Sequence, residues 1–146
     1  MRMFFMPLSA LALAAAMSAV SSAQPTGTIL MPGNLQWTTN QMPKGAARAT
    51  LAGNPNGTGW FVLRLKMHSG TTNSPHTHKT TEILSVLSGT LGVGFGTSVN
   101  KSTVRSIPAG GVVVIPPGVP HYTTALSDVV YDVSGMGPAT NIPIKK

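Results

Sequence analysis

The histidines at positions 76 and 78 constrain most strongly what this chain can fold into and bind. Side chains two residues apart in a β-strand point to the same face, so a strand here would present two imidazoles side by side. Glu82 follows four residues after His78 and can bring a carboxylate to the same point. Imidazole and carboxylate groups suit divalent first-row transition metals. The spacing therefore indicates part of a metal site.

A second stretch, residues 110–121, offers a further ligand. It opens with a valine-rich run that predicts a buried strand, continues through Pro116, Pro117 and Gly118, and ends at His121. Proline followed by glycine favours a tight turn. If this turn lies beside the first stretch, His121 becomes a fourth metal ligand.

Together the two stretches resemble the two sequence motifs of the cupin superfamily. The first motif is matched at every fixed position, and the second at all but its last, where the family has asparagine and this chain has Ala125. That asparagine is not a metal ligand in the family. The short spacer between the motifs, and a looser similarity over residues 59–137, resemble small single-domain bacterial cupins. The matching residues are Gly70, His76, His78, Glu82 and Gly89 in the first motif, and Gly110, Pro116, Gly118 and His121 in the second.

The resemblance implies an all-β fold, the double-stranded β-helix or jelly-roll barrel of cupins. It also implies one divalent transition metal, and Fe, Mn, Zn, Cu and Ni are all compatible with the ligand types. Four protein ligands on a six-coordinate ion would leave two positions for water, dioxygen or a chelating small molecule. The implied metal ligands are His76, His78, Glu82 and His121.

Two functions stay open at this point, because the superfamily hosts both enzymes and binding proteins. One is a metal-dependent enzyme of the dioxygenase, isomerase or lyase type that acts on a small molecule. The other is a non-catalytic metallo-cupin that binds or senses a small ligand or a metal in the cell envelope. The two open metal positions favour the enzyme, whereas the lack of a second acid or base beside the motifs favours the binding protein.

Hydrophobic periodicity predicts a β-sandwich or barrel without reference to any family, because many short strands alternate with Gly/Pro turns. Residues 59–67 alternate most clearly, with their apolar side chains on one face. His68 shares the parity of the polar face of that strand and is expected to point to solvent. Further strands are predicted at residues 48–51, 82–87, 90–95, 103–107, 112–115, 121–124 and 129–133.

The ends of the chain predict export and a single domain. Residues 1–23 combine a positive start, an apolar segment and small residues at a cleavage site, which is typical of a secretory signal peptide. We therefore expect a periplasmic or secreted protein without a stable membrane anchor. Residues 24–45 are predicted to form an extended arm, 46–138 the barrel and 139–146 a C-terminal tail. The arm could add a strand to a second copy, which leaves a homodimer open.

Composition narrows the function further. The chain has no cysteine, which excludes disulfides, thiolate metal sites and cysteine nucleophiles. Its formal net charge of +7 comes from scattered residues that form no run and have no interleaved aromatic side chains. Dispersed charge of this kind mainly sets solubility, so we predict no nucleic-acid partner and expect a small-molecule ligand or substrate instead.

Overall fold

The computed structural model describes residues 27–144, which form an all-β fold. The predicted signal peptide lies outside the described residues. Within them, the helical elements are two 3₁₀ turns, Pro32–Asn34 and Lys101–Thr103, and no helix is long and apolar enough to cross a membrane. The strands are β1 Ala46–Gly53, β2 Trp60–Met67, β3 Thr72–Thr77, β4 Glu82–Ser88, β5 Thr90–Phe95, β6 Arg105–Pro108, β7 Val112–Ile115, β8 His121–Ala125, β9 Val129–Met136 and β10 Ile142–Pro143.

These strands pair into two antiparallel sheets of five strands each. The first sheet has the order β1-β2-β9-β4-β7, and the second has the order β10-β3-β8-β5-β6. Strands that are distant along the chain, such as β2 and β9, are therefore neighbours in space. The chain passes back and forth between the two sheets, which confirms the predicted jelly-roll barrel of the cupin type.

The core lies between the two sheets and is built from alternate residues of the strands. In β2, the predicted alternation is confirmed, because Phe61, Leu63, Leu65 and Met67 are each at most 8% exposed. Burying one such side chain contributes roughly 1.5–3 kcal/mol, so this strand face is one substantial contributor to the hydrophobic stabilisation of the barrel. The other strands add the remaining core residues, among them Leu84, Leu91, Ile115, Tyr131 and Val133.

Close contact between β5 and β8 explains why β5 has a glycine at one of its positions. Gly94 lies opposite Tyr122 in β8, and a Cβ at position 94 would overlap the Tyr122 ring. Tyr122 is fully buried outside the interior core, and its hydroxyl donates to the carbonyl of Asn100 over 2.8 Å. The missing side chain at Gly94 therefore makes room for a ring on the outer side of the sheet.

The valine-rich strand β7 differs from its prediction as a buried strand. It is an edge strand that pairs only with β4, so one of its faces turns to solvent. Val112 and Val114 are each 59% exposed, whereas Ile115 is buried. A run of apolar residues shows that a strand is favoured, but not whether a second layer covers its outer face.

Both ends of the described chain add to the sheets. In the N-terminal arm, a single β-bridge joins Thr38 to Arg48. At the other end, Ile142 and Pro143 pair with Thr77 and His76. Residues in the predicted tail thus form an edge strand beside the first motif.

Candidate metal centre

Strand ends bring the four predicted ligands together. His76 lies near the end of β3 and is the register partner of His121, which opens β8. Glu82 is the first residue of β4, and His78 follows β3 directly. The pairing of β3 with β8 therefore joins the two motifs, although they are far apart in the sequence.

The side chains form a compact, buried cluster. The three histidines each offer one ring nitrogen, and these nitrogens lie within 4.8 Å of one another. The Oε2 atom of Glu82 lies 3.3 Å from Nε2 of His78 and 3.3 Å from Nε2 of His121. All three rings are at most 9% exposed. Such a convergence of nitrogen and oxygen donors could hold one metal ion.

Backbone carbonyls fix the orientation of each ring. The Nδ1 atom of His76 lies 2.6 Å from the carbonyl oxygen of Ser74, and that of His121 lies 3.0 Å from the carbonyl oxygen of Val119. The third ring, His78, has its Nδ1 at 3.2 Å from the Thr140 carbonyl. A carbonyl only accepts, so each Nδ1 carries a proton and each neutral ring offers its Nε2 lone pair.

The donors fit a cation. In the neutral rings, the Nε2 lone pairs of His78 and His121 face the Glu82 carboxylate, and this contact is repulsive unless a positive charge lies between them. Among the described residues, Nε2 of His78 is buried without a hydrogen-bond partner. Buried polar atoms are rarely left unpaired, so an ion at this point would satisfy the cluster.

The Pro-Pro-Gly turn lies beside the first motif. The backbone N–H of Gly118 donates to the carbonyl oxygen of His78 over 2.8 Å. Gly118 has φ of +74°, a left-handed conformation that glycine adopts without steric cost. This hydrogen bond holds the turn beside the first motif, as the prediction of His121 as a fourth ligand required.

Residues 27–136 match the cupin family. This chain belongs to that family. The match covers most of the described barrel and includes all four candidate ligands.

Plant proteins are among the cupins most similar in sequence. Germin-like protein 5-1 of Oryza sativa subsp. japonica is 41% identical over 91 residues, which is 62% of this chain and 41% of that protein. Germin-like protein subfamily 2 member 1 of Arabidopsis thaliana is 37% identical over 99 residues, which is 67% of this chain and 45% of that protein. The matched region spans less than half the length of either relative. Membership of a bacterial branch stays a prediction.

A solved structure is also similar in fold and sequence. It is oxalate oxidase in complex with the substrate analogue glycolate, with a TM-score of 0.53 and 30% sequence identity. The similarity covers 67% of this chain and 54% of that one. The site of this cupin can therefore be compared with that of a relative whose ligand is a small oxyacid.

The charged and polar groups of the cluster shift one another's pKa values. In the metal-free protein, the contact of Glu82 with His78 and His121 becomes attractive only when the rings are protonated at Nε2. Burial raises the pKa of Glu82, but protonated His121 and His78 rings outweigh burial and lower that pKa to about 2. Burial also lowers the pKa of His78, yet the hydrogen bond and charge of Glu82 reverse this effect and raise it above the ordinary 6.5. For His76, burial dominates and lowers the pKa. The carboxylate is therefore ionised at neutral pH and attracts positive charge to His78.

A cavity of about 440 Å³ opens onto this cluster. Its walls combine apolar side chains, including Phe61 and Leu63, with the polar side chains of Asn73, Thr123 and Arg48. The volume falls in the range of small-molecule sites. Thr123 also lines the cavity, and its buried hydroxyl has no hydrogen-bond partner among the described residues. The position of Arg48 beside this cavity was not predicted, because its charge looked like one of many scattered over the surface.

Other polar residues lie away from the centre. The side chain of His68 is 79% exposed beside Asp128, as its parity predicted. Asp132 makes a two-pronged ion pair with Arg64, with N–O distances of 2.8 and 2.9 Å. Among the described residues that line the cavity, Glu82 is therefore the one carboxylate.

Proposed function

We propose that this cupin is an exported metal-dependent enzyme of the oxidoreductase type that acts on a small oxyacid. One divalent transition metal would be held by His76, His78, Glu82 and His121. One observation carries the proposal: three histidine ring nitrogens and an ionised carboxylate converge in the wall of a cavity large enough for a small molecule.

The residues around the centre support such a role. The carbonyl partners of the Nδ1 atoms keep the rings turned toward the ion, and Glu82 offsets part of its charge. Apolar side chains of Phe61, Leu63 and Val133 form part of the cavity lining beside the cluster, and electrostatic contacts are stronger next to apolar groups than in bulk water. A bound metal would supply Lewis-acid and redox chemistry to a small molecule that chelates it.

Similarity to oxalate oxidase is the reason to favour oxidoreductase chemistry over the isomerase and lyase types. That relative is 30% identical and takes glycolate as a substrate analogue. A small oxyacid can chelate an ion through two oxygens, which matches the two coordination positions that four protein ligands leave open on a six-coordinate metal.

A non-catalytic metallo-cupin is the second candidate. It is favoured by the absence of any carboxylate other than Glu82 among the described residues that line the cavity, since a proton-transfer step usually needs a free acid or base. Such a protein would bind a small ligand or a metal in the cell envelope and return it unchanged.

Elemental analysis of the purified protein, prepared without chelator or affinity metal, tests the metal site. We expect about one equivalent of a single transition metal in the wild type, and its loss in His76→Ala and His121→Ala. His68→Ala is the matched control, because this histidine is exposed and lies outside the cluster. If the wild type holds no metal and regains none on soaking, the proposed function is wrong.

Substrate turnover separates the two candidates. Oxygen uptake and product formation are measured with oxalate and with glycolate on the metal-loaded protein. Turnover that disappears in His121→Ala supports the enzyme. Binding of either acid without turnover, under aerobic conditions and with the metal content verified, supports the non-catalytic protein.

Export and assembly complete the proposal. Cleavage after Ala23 would remove the predicted signal peptide, and the intact mass of the protein recovered from the exported fraction tests this directly. The homodimer is tested by light scattering at several protein concentrations. A mass equal to that of one mature chain at every concentration would overturn it.

A further inference from the structure

An arginine faces the interior of the barrel where an uncharged side chain is expected. Arg48 is the register partner of Leu65, and across two strands partners share a face. The same row continues through Tyr131 and Val86, which are both buried. Arg48 itself is half-buried, and a cationic group beside apolar side chains is costly without a partner, so core packing does not explain this position.

The guanidinium of Arg48 has no protein partner in the described chain. None of the ion pairs found between residues 27 and 144 involves it, whereas Arg64 on the next strand is held by Asp132. Arg48 is half-buried and lines the same cavity as the histidine–glutamate cluster. Of the described cavity residues, it is the one lysine or arginine. An unpaired cation in such a cavity is positioned to bind an anion.

The charges indicate how negative that anion is. With neutral imidazoles, a divalent ion and the Glu82 carboxylate together leave one positive charge, and Arg48 adds a second. A ligand with two negative charges would therefore neutralise the cavity, whereas a singly charged acid would leave Arg48 unpaired. This count depends on the proposed function, because it includes the metal ion.

We propose that Arg48 determines specificity for a small dianionic acid, namely a dicarboxylate. One carboxylate faces the metal ligands, and the guanidinium binds the other through two parallel hydrogen bonds, a geometry that arginine favours. The buried hydroxyl of Thr123, which has no partner in the described chain and lines the same cavity, provides a further hydrogen bond. The cavity of about 440 Å³ accommodates a short dicarboxylate.

Calorimetric binding of oxalate, malonate and glycolate to the metal-loaded protein tests this role without any need for turnover. Four proteins are compared: wild type, Arg48→Gln, Arg48→Lys and Arg105→Gln. The last is a matched control, because Arg105 lies exposed on β6 and its replacement makes the same change in net charge. Metal content and thermal midpoint are measured for each, so that a loss of folding or of metal is recognised.

We expect Arg48→Gln to weaken the binding of the better dicarboxylate by about 10- to 100-fold, as for the loss of a charge-assisted pair. Glycolate, which carries one charge, should weaken by less than about threefold, and Arg48→Lys should lie between wild type and Arg48→Gln. Arg105→Gln should change the affinity by less than about twofold, since exposed charges act weakly.

Three results would overturn the inference while leaving the metal site intact. These are unchanged dicarboxylate affinity in Arg48→Gln, an equal loss in Arg105→Gln, and no binding of either dicarboxylate to the metal-loaded wild type. Absence of metal from the wild type is a different result, because it removes the proposed function and with it the charge count.

Discussion

The Nδ1 atom of His78 lies 3.2 Å from the carbonyl oxygen of Thr140, which is distant in the sequence. The corresponding carbonyls for His76 and His121 lie only two residues before each ring. Two rings are thus oriented by the residues just before them in the chain, whereas the third depends on the C-terminal segment. Residues predicted as a tail therefore take part in building the metal centre.

Shortening the C-terminus should weaken metal binding in two steps. A chain that ends at Pro138 loses the Thr140 carbonyl, so we expect its metal affinity to fall by about 10- to 100-fold, as when an outer hydrogen-bond partner of a ligand is lost. A chain that ends at Asn141 keeps that carbonyl and loses β10 together with the residues that follow it. Its metal affinity should therefore fall less. Competition with a chromogenic chelator measures both. Equal affinities in the two truncated chains would contradict the role of Thr140.

Metal affinity should decline as the pH falls below about 7. A ligating imidazole must be neutral, and in the metal-free protein Glu82 raises the pKa of His78 above 6.5 against the effect of burial. Protons therefore begin to compete at His78 already above pH 6.5. Glu82, with a pKa of about 2, stays ionised over this range and adds no pH dependence.

This pH profile is checked by titrating the metal between about pH 5.5 and pH 8, with proton release followed in buffers of different ionisation enthalpy. His68→Ala should leave the profile unchanged, because its ring lies outside the cluster. An affinity that is constant over this range would show that His78 is not a ligand.

Replacing Gly94 by alanine should destabilise the protein by about 1–3 kcal/mol, a typical cost of overpacking. The new Cβ would overlap the ring of Tyr122, which is fully buried and held at its hydroxyl by Asn100. Gly59→Ala is the control, because nothing lies within 4 Å of a Cβ at that position. Chemical denaturation of the two variants measures the difference, and equal stabilities would contradict the proposed contact.

The ion pair between Arg64 and Asp132 should contribute about 1 kcal/mol to stability, since it is two-pronged but partly exposed. A double-mutant cycle with Arg64→Gln and Asp132→Asn isolates this coupling. The coupling should shrink in high salt, because both side chains remain about a quarter exposed. A coupling of zero at low salt would show that the pair only fills space.

Local patterns in the sequence predicted most of the barrel and the position of the four cluster residues. The alternation in β2 and the His-x-His spacing work because side-chain direction in a strand depends only on parity. Patterns of this kind do not report which strands become neighbours. The exposed edge position of Val114 and the pairing of β10 with β3 depend on the whole topology, so they were not foreseen.

Two parts of the candidate site could not be predicted from the sequence, for physical reasons. Every residue has a backbone carbonyl, so nothing in the sequence distinguishes Thr140 as the partner of His78. Arg48 resembled any other scattered cation, because the arm and β1 gave no clear alternation. Its inward direction becomes visible only once its register partner Leu65 is known.

The register pairing of His76 with His121 has a consequence for when a metal can be acquired. These two histidines belong to separate strands and meet only after β3 has paired with β8. A chain that is still unfolded, such as one in transit through a translocation channel, has no assembled cluster. We therefore expect metal to bind only after these two strands have paired, so that loading follows folding.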